Sequence, residues 1–196
     1  MKQIFKIEPA IFNQFIAKNS PQTWGELSKK IGDELRLYML INEQNNQCAY
    51  TEVRLQNKHL ESHIDHFQKQ SLFPELKFVW NNLLTSCNNE HYGARYKDKY
   101  IQKIDYEFLI HPAKTNPDDH LTYSTTGEIL SKDKYGKTTI DLFNLNDKSL
   151  VEQRKTIAKQ LKEIYQEFDI EELVSQYGKF ESFIREIYKI YQISEN

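Results

Sequence analysis

The sequence predicts an α+β fold, a single domain in which short strands and polar loops sit inside a mostly helical chain. Three observations carry this. Apolar residues recur every three or four positions through the first forty residues; the stretch from Cys48 to about Tyr100 breaks into short β-prone pieces and polar loops; and the last fifty residues return to helical periodicity. With 196 residues the chain is long enough for one full core and too short for two large domains. Its 39% hydrophobic, 28% charged and 13% aromatic residues describe a folded, polar protein and exclude a disordered one. No apolar run approaches the ~18 residues of a membrane span, and the opening MKQIFKIEPAIFNQF lacks a signal peptide's unbroken apolar stretch. A cytoplasmic protein without a membrane partner is therefore expected, its two cysteines reduced. The net charge of −2 argues against indiscriminate polyanion binding, so nucleic-acid contact has to come from a local patch or a partner.

In order along the chain, residues 1–45 read as N-terminal helices. Thr23 and Glu26 have capping-box spacing, and Trp24, Leu27, Ile31, Leu35 and Tyr38 follow as one stripe, which predicts a helix beginning at Thr23. Residues 46–105 form the β-containing middle, where LFPELKFVW is a loop ahead of an apolar segment. Residues 106–146 read as loop and hairpin, because HLTYSTTGEILSK places two β-prone runs around a turn ending in Gly127. Residues 147–194 read as a helical hairpin of two long amphipathic helices joined near Asp169. The second of these carries Tyr177, Phe180, Phe183, Ile184, Ile187 and Tyr191, a face that either packs on the rest of the chain or docks a partner.

Two polar islands interrupt the middle, HIDHF at 63–67 and WNNLLTSCNNEH at 80–91. An Asp-His pair closes a short strand, an Asn-Leu follows about sixteen residues later, and a Cys-x3-His opens a helix. With CAYT at 48–51, SHIDHF, NNLLTSC and CNNEH, this order resembles the HNH endonucleases, whose core is a ββα-metal hairpin. The downstream text HPAKTNPDDHLTYSTTGEIL, TTIDLFNLN and LVEQR further resembles the HNH subunits of Septu-type antiphage systems and their retron-associated relatives. The likeness runs from about Cys48 to Arg154.

The resemblance implies a metal-dependent endonuclease subunit of a prokaryotic defence system, working beside an ABC-type ATPase. Its substrate would be DNA, or RNA through the same site, since nothing in the motif reads the sugar. In-line attack by water needs a base near neutrality, for which His66 is the candidate. A Mg²⁺ or Mn²⁺ ion needs a carboxylate and a second protein ligand, for which Asp65 and His91 are the candidates. By resemblance Asn82 braces the loop that aims His66, and Asn81 is a weaker choice. His63 shares Asp65's strand face by period-two alternation, as a supporting or merely exposed residue. His59, His111 and His120 read as non-catalytic.

Relatives commonly carry two Cys-x-x-Cys knuckles around a structural zinc. Here Cys48 is spaced with Thr51 and Cys87 with Glu90, a set poor enough in thiolates that structural zinc is expected to be absent. A Thr51 to Glu90 contact is the expected replacement. Arg95, Lys97, Lys99 and Lys103, just after His91, are candidate phosphate contacts, with a solvated helix face as the bland alternative. The rival to the nuclease reading is an inactive HNH scaffold subunit that binds the ATPase.

Overall fold

The computed structural model describes residues 1–58 and 60–194. His59, read above as non-catalytic, lies outside the described residues. Helix α1, Ala10–Asn19, starts behind Pro9 and ends at Ser20, whose φ of 43° is left-handed. The Thr23/Glu26 capping box forms, but it closes only one 3₁₀ turn, Trp24–Glu26. Leu27 is extended, and helix α2, Lys29–Asn42, takes a second cap from Ser28, whose Oγ accepts the Ile31 N–H at 3.3 Å. The helix expected from Thr23 thus starts one turn later, because a second serine cap follows the first.

Strands β1, Ser62–His66, and β2, Leu83–Cys87, pair antiparallel from Ser62↔Cys87 to His66↔Leu83. Strand β2 is buried throughout because it serves two cores. Leu83 packs with Phe12, Leu35, Met39 and Trp80 against the N-terminal helices, whereas Leu84 packs in the larger core, which joins Met1, Ile4, Leu40 and Tyr50 to the C-terminal helices. Helix α3, Ala94–Tyr100, follows directly, so the observed order is strand, strand, helix.

The segment 106–146 holds more than a loop and hairpin. The hairpin is present as β3, Leu121–Tyr123, and β4, Ile129–Ser131, with Gly127 at φ 92° in its turn. Behind it comes helix α4, Lys134–Phe143, which the sequence hid: Gly136, Thr138, Thr139 and Ile140 are weak helix formers. Its cap, Asp133 accepting the Gly136 N–H at 2.9 Å, and burial of Phe143 override propensity.

The C-terminal hairpin is three helices, α5 Lys148–Ile164, α6 Ile170–Tyr177 and α7 Glu181–Ser194. Asp169 and Glu172 form a capping box at the first joint, and left-handed Gly178 and Phe180 make the second. Phe180, Phe183, Ile184 and Ile187 are buried in the chain's own core. The apolar face that sequence periodicity offered to a partner is therefore covered from within. Among the described residues no helix is long and apolar enough to cross a membrane.

Candidate active site

Asp65 and His66 end β1, opposite Leu84 and Leu83 of β2, and a sixteen-residue loop joins the strands there. Asn82 closes that loop. Its Oδ1 accepts the Gln68 N–H at 2.8 Å, its Nδ2 donates to Gln68 O at 3.1 Å and Leu76 O at 3.2 Å, and its own carbonyl accepts the Phe67 N–H at 2.9 Å. The loop segment beginning at Leu76 is thus fixed beside His66. Next along it, the Lys77 carbonyl lies 2.9 Å from His66 Nε2. A carbonyl only accepts, so Nε2 carries the proton and Nδ1 keeps its lone pair. That lone pair accepts from the Gln70 side-chain amide at 3.1 Å. Trp24 stands edge-on to the imidazole, ring centroids 4.7 Å apart, so the N-terminal 3₁₀ turn walls the site.

His66 is buried, and burial pulls it below the ordinary imidazole value, only partly opposed by the Lys77 hydrogen bond and the Asp65 charge. The ring is neutral near pH 7, with one fixed donor and one basic nitrogen, the state a general base needs.

Asp65 has a different environment. Its Oδ2 accepts from the Tyr50 hydroxyl and lies 3.4 Å from the Lys97 ammonium. Burial opposes its ionisation, but Lys97, His63 and the Tyr50 hydrogen bond together hold the carboxyl below its usual range. Lys97, expected among the phosphate contacts, departs from that expectation: it is fully buried, because Asp65 and Asp98 outweigh the cost of burying its charge and keep it protonated. His63 shares the Asp65 face of β1 and is half-buried, with no partner on Nδ1.

The implied metal ligands do not fit a metal as placed. His91 is exposed on the loop before α3, its N–H held by Asn89 Oδ1 at 2.8 Å and its carbonyl by Asn144 Nδ2 at 2.7 Å. It follows Cys87, which pairs with Ser62 at the far end of the hairpin from Asp65. Among the described residues no group of three His, Cys, Asp or Glu side chains is placed to hold a metal ion.

The expected Thr51 to Glu90 contact does not form. Thr51 Oγ1 faces Cys87 Sγ at 3.9 Å, Cys48 Sγ lies 3.6 Å from Ser86 Oγ and accepts the Cys87 N–H at 3.5 Å, and all four residues are buried. Gly93, at φ 78°, closes over them so tightly that a Cβ would lie 3.2 Å from Cys87 Sγ. Hydrogen bonds between two thiols and two hydroxyls thus fill the space, with too few donors for a four-ligand zinc site. Burial pushes Cys48 up, but hydrogen bonds from Cys87 and Thr51 outweigh it and bring Cys48 to about 5, while the hydrogen bond to Cys48 and burial raise Cys87. Glu90 instead points outward, 2.9 Å from Arg95 and 2.7 Å from Lys99. Those two cations remain exposed, and Lys103 lies over Phe73.

Sequence reasoning missed Gln70, Tyr50, Trp24, Asp98 and the Lys77 carbonyl. Tyr50 lies inside the CAYT motif and Asp98 beside Lys97, and a buried carboxylate's need for donors was the only available signal. His111 packs against Phe67, ring centroids 4.2 Å apart and planes tilted by 33°, and His120 pairs with Asp133.

No family model matches this chain. It is 31% identical over 144 residues to the Septu protein PtuB of Bacillus thuringiensis, covering 71% of this chain and 49% of that one. To the Septu protein PtuB of Bacillus mycoides (strain KBAB4) it is 27% identical over 156 residues, covering 66% and 52%. To the Septu protein PtuA of the same strain it is 26% identical over 157 residues, covering 65% and 21%. The chain spans about half the length of the PtuB relatives that it matches, and its similarity is to Septu proteins.

Proposed function

We propose that this chain is the nuclease subunit of a Septu-type antiphage defence system, hydrolysing phosphodiester bonds of DNA, or of RNA, with His66 as general base. The observation that carries this reading is the state of His66: neutral, with Nε2–H fixed on the Lys77 carbonyl and Nδ1 left as the acceptor. Water in place of the Gln70 amide would pass its proton to Nδ1 as its oxygen attacks phosphorus and the opposite P–O bond breaks; the leaving sugar oxygen would take a proton from solvent, and the imidazolium formed would be steadied by the neighbouring Asp65 charge. Asn82 acts on the chemistry through the loop that it closes.

Similarity to PtuB in two bacteria supports the defence setting. The ABC-type ATPase partner belongs to the same proposal. With a net charge of −2, and with Arg95 and Lys99 shared with Glu90, the chain alone holds phosphates weakly, so a partner that binds nucleic acid raises its local concentration at His66.

The second reading, a scaffold subunit without activity, is favoured by one observation: Asp65 is engaged by Tyr50 and Lys97 inside the protein. Reconstitution with the ATPase separates the two. The nuclease reading expects cleavage of DNA or RNA by the complex, abolished by His66→Ala with assembly intact. A complex that cuts neither, or that cuts equally with His66→Ala, would leave the scaffold.

A further inference from the structure

We infer that the cation of the Asp65–His66 corner is the Lys97 ammonium, and that this corner takes up no divalent metal ion while Lys97 is in place. Four oxygens surround Lys97 Nζ: Phe67 O at 2.8 Å, Asp98 Oδ1 at 3.1 Å, His66 O at 3.3 Å and Asp65 Oδ2 at 3.4 Å. Two are carboxylate oxygens and two are the carbonyls that follow Asp65 in the chain. An oxygen cage that joins two carboxylates to main-chain carbonyls is the donor set of a hard cation. Here a side chain of α3 fills it from inside the protein.

Three features keep a divalent ion out. Lys97 and Asp65 are buried at 0% and 4% exposure, whereas Mg²⁺ sheds its water reluctantly and keeps several water ligands. Asp65 Oδ2 already accepts from Tyr50 and Lys97, so an ion bound there would meet a fixed positive charge in a poorly screened place. His91, the second ligand that the family resemblance implied, is exposed and held elsewhere through its backbone.

The ammonium does part of what a metal would. It compensates Asp65 and Asp98 and draws the two carbonyls of the strand end together, which makes Lys97 a positioning residue for the turn that leads out of His66. The inference does not depend on the nuclease reading, since it concerns only which cation this corner holds.

The test is a Mn²⁺ titration of the ¹⁵N-labelled full chain, read as paramagnetic broadening of backbone amides. In the wild type the amides of Asp65, His66 and Phe67 are expected to broaden no more than surface amides. Lys97→Met, which keeps the stem and removes the charge, is expected to tighten Mn²⁺ binding at this corner about tenfold or more. Adding Asp65→Asn to it should abolish the gain. Saturable broadening centred on Asp65 in the wild type overturns the inference, and so does a folded Lys97→Met that gains no binding. Should that variant not fold, the wild-type titration decides alone. Loss of the nuclease reading shows instead in the cleavage assay, with this titration unchanged.

Discussion

The His66 ring hangs from the Lys77 carbonyl, 2.9 Å from Nε2, and that carbonyl is in place because Asn82 holds Leu76, one residue earlier, at 3.2 Å. Aim is thus transmitted from an amide to an imidazole through one peptide unit. Asn82→Ala should cost about 2–4 kcal/mol, from three side-chain hydrogen bonds worth about 1 kcal/mol each and the buried groups left unpaired. Urea denaturation measures the loss, and the ¹⁵N shifts of His66 should show its fixed Nε2–H tautomer becoming mixed. A single tautomer at unchanged stability would remove Asn82 from this role.

Gln70 occupies the acceptor nitrogen of that ring at 3.1 Å. Gln70→Ala should raise the His66 pKa, since a donor that favours the unprotonated nitrogen is gone. In the reconstituted complex it should speed cleavage about fivefold, the weight of one hydrogen bond near 1 kcal/mol. Slower cleavage with unchanged substrate affinity would mean that Gln70 holds the attacking water.

Two buried histidines set an acid sensitivity. Burial, then the Lys114 and Lys6 charges, lower His111 to about 3, and burial lowers His66 as well. Both are neutral in the native state, while the unfolded chain takes up protons near pH 6.5. Stability is then complete above pH 6.5 and falls as pH drops below it, for His111 down to about 3. Between pH 6.5 and 5 His111 alone should cost about 2 kcal/mol, at about 1.4 kcal/mol per unit. Urea titrations at the two pH values check this, and His111→Leu should flatten the slope. An equal slope in that variant would assign the sensitivity elsewhere.

Metal removal should leave the fold untouched. Cys48, Thr51, Ser86 and Cys87 satisfy one another, so the melting temperature should be the same with and without a strong zinc chelator, and elemental analysis should find no stoichiometric zinc in reduced protein. A chelator-dependent fall in melting temperature would show that a thiolate metal site persists.

Gly127 should tolerate no side chain. Its φ is 92°, and a Cβ there would lie 2.3 Å from the Val151 carbonyl, while Arg154, buried on α5, donates to the Gly127 carbonyl at 2.6 Å. Gly127→Ala should therefore destabilise by more than the ~1 kcal/mol usual for a strained backbone. Thermal melting reads this directly, and a neutral result would mean that the hairpin lifts off α5 at no cost.

What could be read in advance divides along a physical line. Asp65, His66 and Asn82 lie within one hairpin, where strand alternation and local order nearly fix who meets whom. Lys97 was misjudged because a lysine among Arg95 and Lys99 reads as solvated, and its burial is decided by a carboxylate 32 residues away. The Phe180 to Ile187 face announced its amphipathicity but not what covers it, since periodicity says nothing of tertiary neighbours. Helix α4 was hidden by β-branched residues whose propensity is outweighed by a cap and a buried phenylalanine. His91 was placed by motif spacing, and the loop before α3 turns it away.

The joint at Phe180 also sets a schedule. The Glu52 carbonyl accepts the Phe180 N–H at 2.8 Å and the Glu52 carboxylate accepts the Ser182 N–H at 2.7 Å, which fastens the turn carrying Cys48 and Tyr50 to the start of α7. Tyr50 in turn holds Asp65. During synthesis on the ribosome residues 48–66 emerge long before Phe180, and a partner of such sequence separation is reached late and slowly. The Asp65–His66 corner therefore stays unfinished until Phe180 and Ser182 have been made, so a nascent fragment ending before them would carry the His66 motif without its folded geometry.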